Sequence, residues 1–249
     1  MTLKKGIFAV LALFILLASL VQFPSLFINK ANTYKAFDIY SNTPLAINDD
    51  AKIVFDSVLI NLEKSHFQKN SDQYHLYFIK GTFYEQLLGI FGMKNIASSK
   101  YFKHIYIAQP LFSESKLMMN TSDHGWLNLV QIITHEAVHS QMYADHSNWG
   151  FMQTPAWINE GYAEYISYQP IRQKTGYQLS SLVQHLATEK GDWLRTEHGA
   201  MTPRFYTKSR VLVEYLLDIK GKTITELIAD KTLNSEAIYE EVVEYFSEN

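Results

Sequence analysis

His135-Glu136-Ala137-Val138-His139 is the stretch that decides how this chain is read. It lies in a segment of helical periodicity, where Leu127, Val130, Ile132, Ile133, Ala137 and Val138 make much of the circumference apolar. Residues four apart on a helix stand one above the other on the same face. His135 and His139 can therefore grip one metal ion from a single rigid element. Glu136 is displaced around the helix but stays near the open side of such an ion. There its carboxylate can take a proton from water on the metal, so the motif proposes zinc-assisted hydrolysis. The bland alternative is two surface histidines on a solvated face. The apolar flanks argue against it, because they place the imidazoles on or near a buried helix, and buried imidazoles need partners.

A zinc site needs a third protein ligand and an open position. The chain has no cysteine, so disulfides and thiolate sites are excluded and histidine and carboxylate remain as ligands. Downstream runs Thr154-Pro155-Ala156-Trp157-Ile158-Asn159-Glu160-Gly161-Tyr162-Ala163-Glu164-Tyr165. Thr154 suits an N-cap and Pro155 the first helical position. Glu160 and Glu164 then share one face of a second helix. Glu160 is the expected third ligand. Glu164, one turn on, is placed to accept the spare ring N–H of a ligand histidine and fix its orientation. A solvated acidic face is the alternative. It is weakened by Trp157, Ile158, Tyr162, Ala163 and Ile166, among which two carboxylates are costly without a cation.

H-E-A-V-H followed by W-I-N-E-G-Y-A-E-Y resembles the gluzincin metallopeptidases, a clan that includes thermolysin-like and aminopeptidase-N-like enzymes. The pattern is most similar to the small bacterial members often called peptidase MA-like, and it covers roughly residues 100–230. The resemblance implies a zinc ion held by His135, His139 and Glu160, with Glu136 as general base and Glu164 at the family's supporting acidic position. No G-x-M-E-N segment precedes the motif helix, where the aminopeptidases bind a free amine. An endopeptidase or a specialised hydrolase is therefore expected.

Amide hydrolysis passes through a tetrahedral oxyanion, which needs a donor beside the metal. Candidates lie in His198-Gly199-Ala200-Met201-Thr202-Pro203-Arg204-Phe205-Tyr206, just before an apolar-faced helix from Lys208 to Lys220. In similar gluzincins a Tyr or His from this region faces the zinc. Tyr206 ranks first and His198 second, against a core-packing tyrosine and an exposed loop histidine. His124 and His146 read as bystanders, and Met118-Met119 as strand packing.

The formal net charge of -3 carries no basic stripe, so nothing points to nucleic acid. At the N-terminus, Lys4 and Lys5 precede an uncharged apolar run from Gly6 to Phe23, which Pro24 ends. Eighteen residues make about 27 Å of helix, close to the thickness of a bilayer core. A signal anchor or signal peptide over 1–24 is expected, followed by a linker over 25–48 and one catalytic domain over 49–249. The positive flank sets that domain outside the cytoplasm, membrane-anchored, with secretion after signal cleavage as the alternative.

Within the domain the patterns predict a helix over 49–66, strands over 74–80, 103–108 and 116–120, and a short helix over 82–91. Helices follow over 122–144, 155–169, 179–190, 204–220, 223–230 and 235–247. Strands early and helices late predict an α+β, zincin-like domain: a small sheet on the motif helix, a mostly helical C-terminal half, and an N-terminal membrane helix before them. Lys116–Asn120 is the expected edge strand for an extended peptide. The leading function is a membrane-tethered zinc peptidase acting on a peptide or protein substrate. A non-catalytic zincin-fold binding or scaffold module is the alternative, as is a zinc hydrolase of a non-peptide amide or ester.

Overall fold

The computed structural model describes residues 7–8, 15–17, 19–43, 45–67, 69, 73–91, 97–100, 104–108, 110–112, 116–118, 126–175, 178–195 and 201–248. Ten strands and eight α-helices have both ends among them, and residues 7–8, 15–17 and 19–20 are helical as well. The strands are β1 (Lys30–Tyr34), β2 (Phe37–Tyr40), β3 (Tyr74–Phe78), β4 (Ala97–Lys100), β5 (His104–Ile107), β6 (Pro110–Leu111), β7 (Lys116–Met118), β8 (Trp126–Asn128), β9 (Trp193–Arg195) and β10 (Met201–Pro203). The helices are α1 (Asp49–Leu62), α2 (Phe83–Ile90), α3 (Leu129–Gln153), α4 (Ala156–Thr175), α5 (Leu179–Thr188), α6 (Arg204–Glu214), α7 (Ile224–Ala229) and α8 (Ser235–Glu248). A π-helical turn, Tyr215–Ile219, extends α6.

Five strands form the main sheet in the order β1-β2-β3-β5-β4. The three central strands are parallel and the two edges antiparallel. Alternation divides the sheet cleanly. Phe37, Ile39, Tyr74, Leu76, Phe78, Ile105 and Ile107 face the main core, shared with Val54, Phe55 and Val58 of α1 and Ile133, Ala137 and Val138 of α3. The motif helix is thus seated on the sheet by the faces that do not carry its histidines. Asn48 caps α1 by accepting from Ala51 N–H, and Asp49 and Asp50 complement the positive end of that helix.

The architecture is α+β with a small sheet and many helices, and three expectations are corrected by it. First, no helix among the described residues is long and apolar enough to cross a membrane. The N-terminal membrane helix is therefore not supported, nor is the membrane-anchored location outside the cytoplasm that was built on it. Lys4, Lys5 and residues 9–14 lie outside the described residues. The end of the apolar run packs on the protein: Leu17, Leu20 and Val21, joined by Ile28 from beyond Pro24, meet Tyr77, Tyr84, Leu87, Leu88 and Tyr106 on the sheet's second face. Second, the segment 25–48 is not a linker, because its β1–β2 hairpin enters the main sheet through the parallel β2–β3 pair. Third, Lys116–Met118 is no edge. It is the middle strand of a separate three-stranded sheet, β6-β7-β8. Among the described residues the edge strand of the main sheet on the side of the motif helix is β4, which lies against α3.

The motif helix also begins later than its pattern suggests. Residues 126–128 pair with β7, and Asn128 is the N-cap, its side chain accepting from Gln131 N–H. His124 and Met119 lie outside the described residues, as does the His146 side chain.

Candidate metal centre

Three ligand atoms meet between α3 and α4. Nε2 of His135 and Nε2 of His139 are 3.0 Å apart. Oε2 of Glu160 is 3.2 Å from the first and 3.3 Å from the second. The triangle is nearly equilateral. In a tetrahedral site with bonds of about 2.05 Å, ligand atoms stand about 3.3 Å from one another. The observed edges fit that spacing and account for three of the four corners. Among the described residues this is the group of histidines and carboxylates whose ligand atoms converge closely enough to hold a metal ion.

The donor set also calls for a cation. His135 and His139 are buried, and the Glu160 side chain is only 24% exposed. Burial raises the Glu160 carboxyl pKa, but the neighbouring His139 and His135 outweigh it and hold the carboxyl well below its usual range. For His135, burial lowers the imidazole pKa, while Glu160 and then Glu164 more than reverse that and hold it well above its usual range. Such a cluster takes positive charge in one of two ways. A proton on His135 supplies it at one ligand, and a divalent ion supplies it at three.

Helix spacing explains how the sequence builds the cluster. Two ligands come from one face of α3, and Glu160 from the first turns of α4, which begins just past Thr154 and Pro155. Glu164 follows one turn on, with Oε1 2.9 Å from Nδ1 of His135, though off the line of the ring N–H. It stands where an orienting carboxylate belongs. Glu136 is buried at 9% exposure and acts electrostatically on both His135 and Tyr206.

Tyr206 is brought to the cluster from α6. Its ring lies 5.9 Å from that of His135, centroid to centroid. Burial raises its hydroxyl pKa, and the charges of Glu160, Glu136 and Glu164 raise it further. The phenol therefore stays protonated, as a hydrogen-bond donor must. His198, the second candidate, lies outside the described residues.

Two neighbours escaped the sequence reading. The Phe151 ring stacks on Tyr143 at 3.7 Å and meets His139 edge-on at 6.0 Å. Twelve residues of straight helix would separate His139 from Phe151 by about 18 Å. So α3 bends sharply between Tyr143 and Phe151, and it carries no proline to announce the bend. Asn159 is the second. Its buried amide donates to the carbonyls of Phe151 and Thr154 and closes the α3–α4 turn beside Glu160. A polar residue between Ile158 and Glu160, among apolar neighbours, was the available signal.

The fit between α4 and α6 completes the wall. A Cβ at Gly161 would lie 2.4 Å from the carbonyl oxygen of Ser209, so only glycine lets the helix bearing Glu160 approach the helix bearing Tyr206 this closely. No family model, curated protein or solved structure matches the chain.

Proposed function

We propose that this chain is a zinc-dependent peptidase of gluzincin-like design, with His135, His139 and Glu160 as ligands. The observation that carries the reading is the nearly equilateral ligand triangle, with the Tyr206 ring 5.9 Å from that of His135. A zinc ion held by His135, His139 and Glu160 would supply Lewis acidity to a water and to a substrate carbonyl. Glu136 accepts the proton of the attacking water and delivers it to the leaving amine. Tyr206 donates a hydrogen bond to the oxyanion as charge develops on it. Glu164 fixes the ring of His135 from behind. A purely structural site has no use for Glu136, and this favours a catalyst over a binding or scaffold module.

Peptide is favoured over a non-peptide amide or ester by β4. This strand pairs with β5 on one side, runs beside the motif helix, and has no strand partner on its other side among the described residues. An extended peptide can add there by main-chain hydrogen bonds.

The test is a diverse peptide library with zinc analysis and Glu136→Gln as control. The variant should retain its zinc and lose about 10²–10⁴-fold in turnover. Equal cleavage by variant and parent would sink the mechanism. Less than about half an equivalent of zinc in protein purified without chelator would favour the scaffold.

A further inference from the structure

Helix α6 starts against the usual rules. Its N-cap is Pro203, with no side-chain cap, and its first turn holds no acidic residue. Its first residue is Arg204, a cation at the positive end of a helix. Such a conflict needs a compensating contact. Arg204 finds one at the opposite pole of a different helix. Its Nη1 donates to the carbonyl of Glu189 at 2.8 Å and its Nη2 to that of Leu186 at 2.5 Å. Both acceptors belong to the C-terminal end of α5, where carbonyls lack helical partners and a cation is favoured. The backbone N–H of Arg204 donates to Asp192 at 2.8 Å, at the foot of the β9–β10 hairpin. Leu186 itself is fully buried, so this fastening reaches the core.

Two residues further along α6 stands Tyr206, facing His135. The first turn of α6 is therefore held by α5 and the β9–β10 pair, elements that carry none of the cluster's three residues. Resting on the function proposed above, we propose that Arg204 is a positioning residue for Tyr206, its guanidinium fork on α5 setting where the hydroxyl stands over the site. The fork is specific to arginine. A lysine supplies the charge at one point and cannot span both carbonyls.

The test uses the full chain with cobalt(II) as the metal probe and 3-fluorotyrosine in place of tyrosine. The Tyr206 resonance is identified by its loss in Tyr206→Phe and should be displaced by cobalt in the parent. In Arg204→Met that displacement should fall by about half or more, because paramagnetic effects and catalysis alike depend on placement within about 1 Å. Cobalt affinity should stay within about threefold, since the ligands lie on α3 and α4, away from the substitution. On a cleaved peptide, Arg204→Met should lower kcat about tenfold in the parent but less than about twofold in the Tyr206→Phe background. Arg204→Lys should fall between. An unchanged fluorine displacement, or an equal kcat loss in both backgrounds, overturns the assignment of Arg204 while leaving the metal site standing. Failure of the parent to bind cobalt overturns the metal reading and this inference together.

Discussion

Gly161→Ala is the sharpest test of how the two walls of the site are held together. The added Cβ would lie 2.4 Å from the Ser209 oxygen, 2.6 Å from Val213 Cγ2 and 2.8 Å from the Ser209 carbonyl carbon. Val213 is β-branched and confined to one favoured rotamer in a helix, so it yields little. The carbonyl belongs to the backbone of α6 and yields only if the whole helix moves. Restoring ordinary contact requires a separation of about 1 Å between α4 and α6. Overpacking costs about 1–3 kcal/mol, and a clash with backbone, which cannot rotate away, belongs in the upper part of that range, about 2–3 kcal/mol. Alanine recovers about 1 kcal/mol of helix propensity, so the net loss is about 1–2 kcal/mol. For a chain of this length that lowers Tm by about 2–8 °C in a thermal melt followed by circular dichroism. The same 1 Å displacement carries Tyr206 away from the ligand triangle, and turnover should drop by up to about 10²-fold with zinc content unchanged. A variant as stable as the parent, or more stable, would refute the packing argument, since propensity alone would then have decided the outcome.

Other substitutions separate the parts of the site. Tyr206→Phe should retain its zinc and lose about 10²–10³-fold in kcat, and a loss confined to KM would remove its assigned role. Glu164→Gln should weaken zinc binding about 10–100-fold in a competition titration, whereas an unchanged affinity would mean that His135 needs no orienting carboxylate. A third prediction concerns pH and the far face of the sheet. Burial, and then the charge of His75, push the His104 imidazole down to about 4. The unfolded chain takes that proton near pH 6.5 and the folded chain near 4. This contribution to stability is complete above about pH 6.5 and is lost as pH falls through the window down to 4. The full shift corresponds to about 3.4 kcal/mol, which partial exposure of the ring reduces to about 1–2. Urea midpoints of the parent and His104→Gln at pH 7 and pH 4.5 should diverge in slope, and parallel behaviour would show that His104 is not the group responsible.

The His135, His139 and Glu160 cluster was legible because each half of it is a local pattern. His135 with His139, and Glu160 with Glu164, are pairs at helical spacing, and helical spacing fixes their mutual geometry before any tertiary contact exists. Tyr206 was legible by its place near a helix start, although sequence does not say which helix start faces which cluster. The sheet was harder. β1 reads Lys-Ala-Asn-Thr-Tyr, too polar for a strong alternating signal, and it gains its place by pairing with β2. β2 pairs in turn with β3 across the whole of α1, a non-local contact that no short window contains. β4 reads Ala-Ser-Ser-Lys and is four residues long. Its place at the edge of the described sheet follows from strand order, which depends on all five strands at once. The start of the motif helix moved for a similar reason: strand pairing claimed residues 126–128, and Asn128 capped what remained.

The apolar N-terminal run shows the limit of hydropathy in its simplest form. Hydropathy measures how strongly a segment avoids water, and it is silent about what the segment is buried against. A bilayer is one partner and a protein surface is another. Here the main sheet has a second face that its helical layer does not cover, lined by Tyr77 and Tyr106 and flanked by Tyr84, Leu87 and Leu88 of α2. Leu17, Leu20 and Val21 pack on it, and the Tyr84 hydroxyl donates to the Val21 carbonyl at 2.7 Å. That bond satisfies a buried phenol and a backbone acceptor at once. Each of those tyrosines, read singly, looks like ordinary strand or helix packing. Only the assembled sheet turns them into a surface that needs a cover, and the end of the run is the cover it receives. The same layer supports the site from below, since the sheet that rests on this segment on one side carries the motif helix on the other.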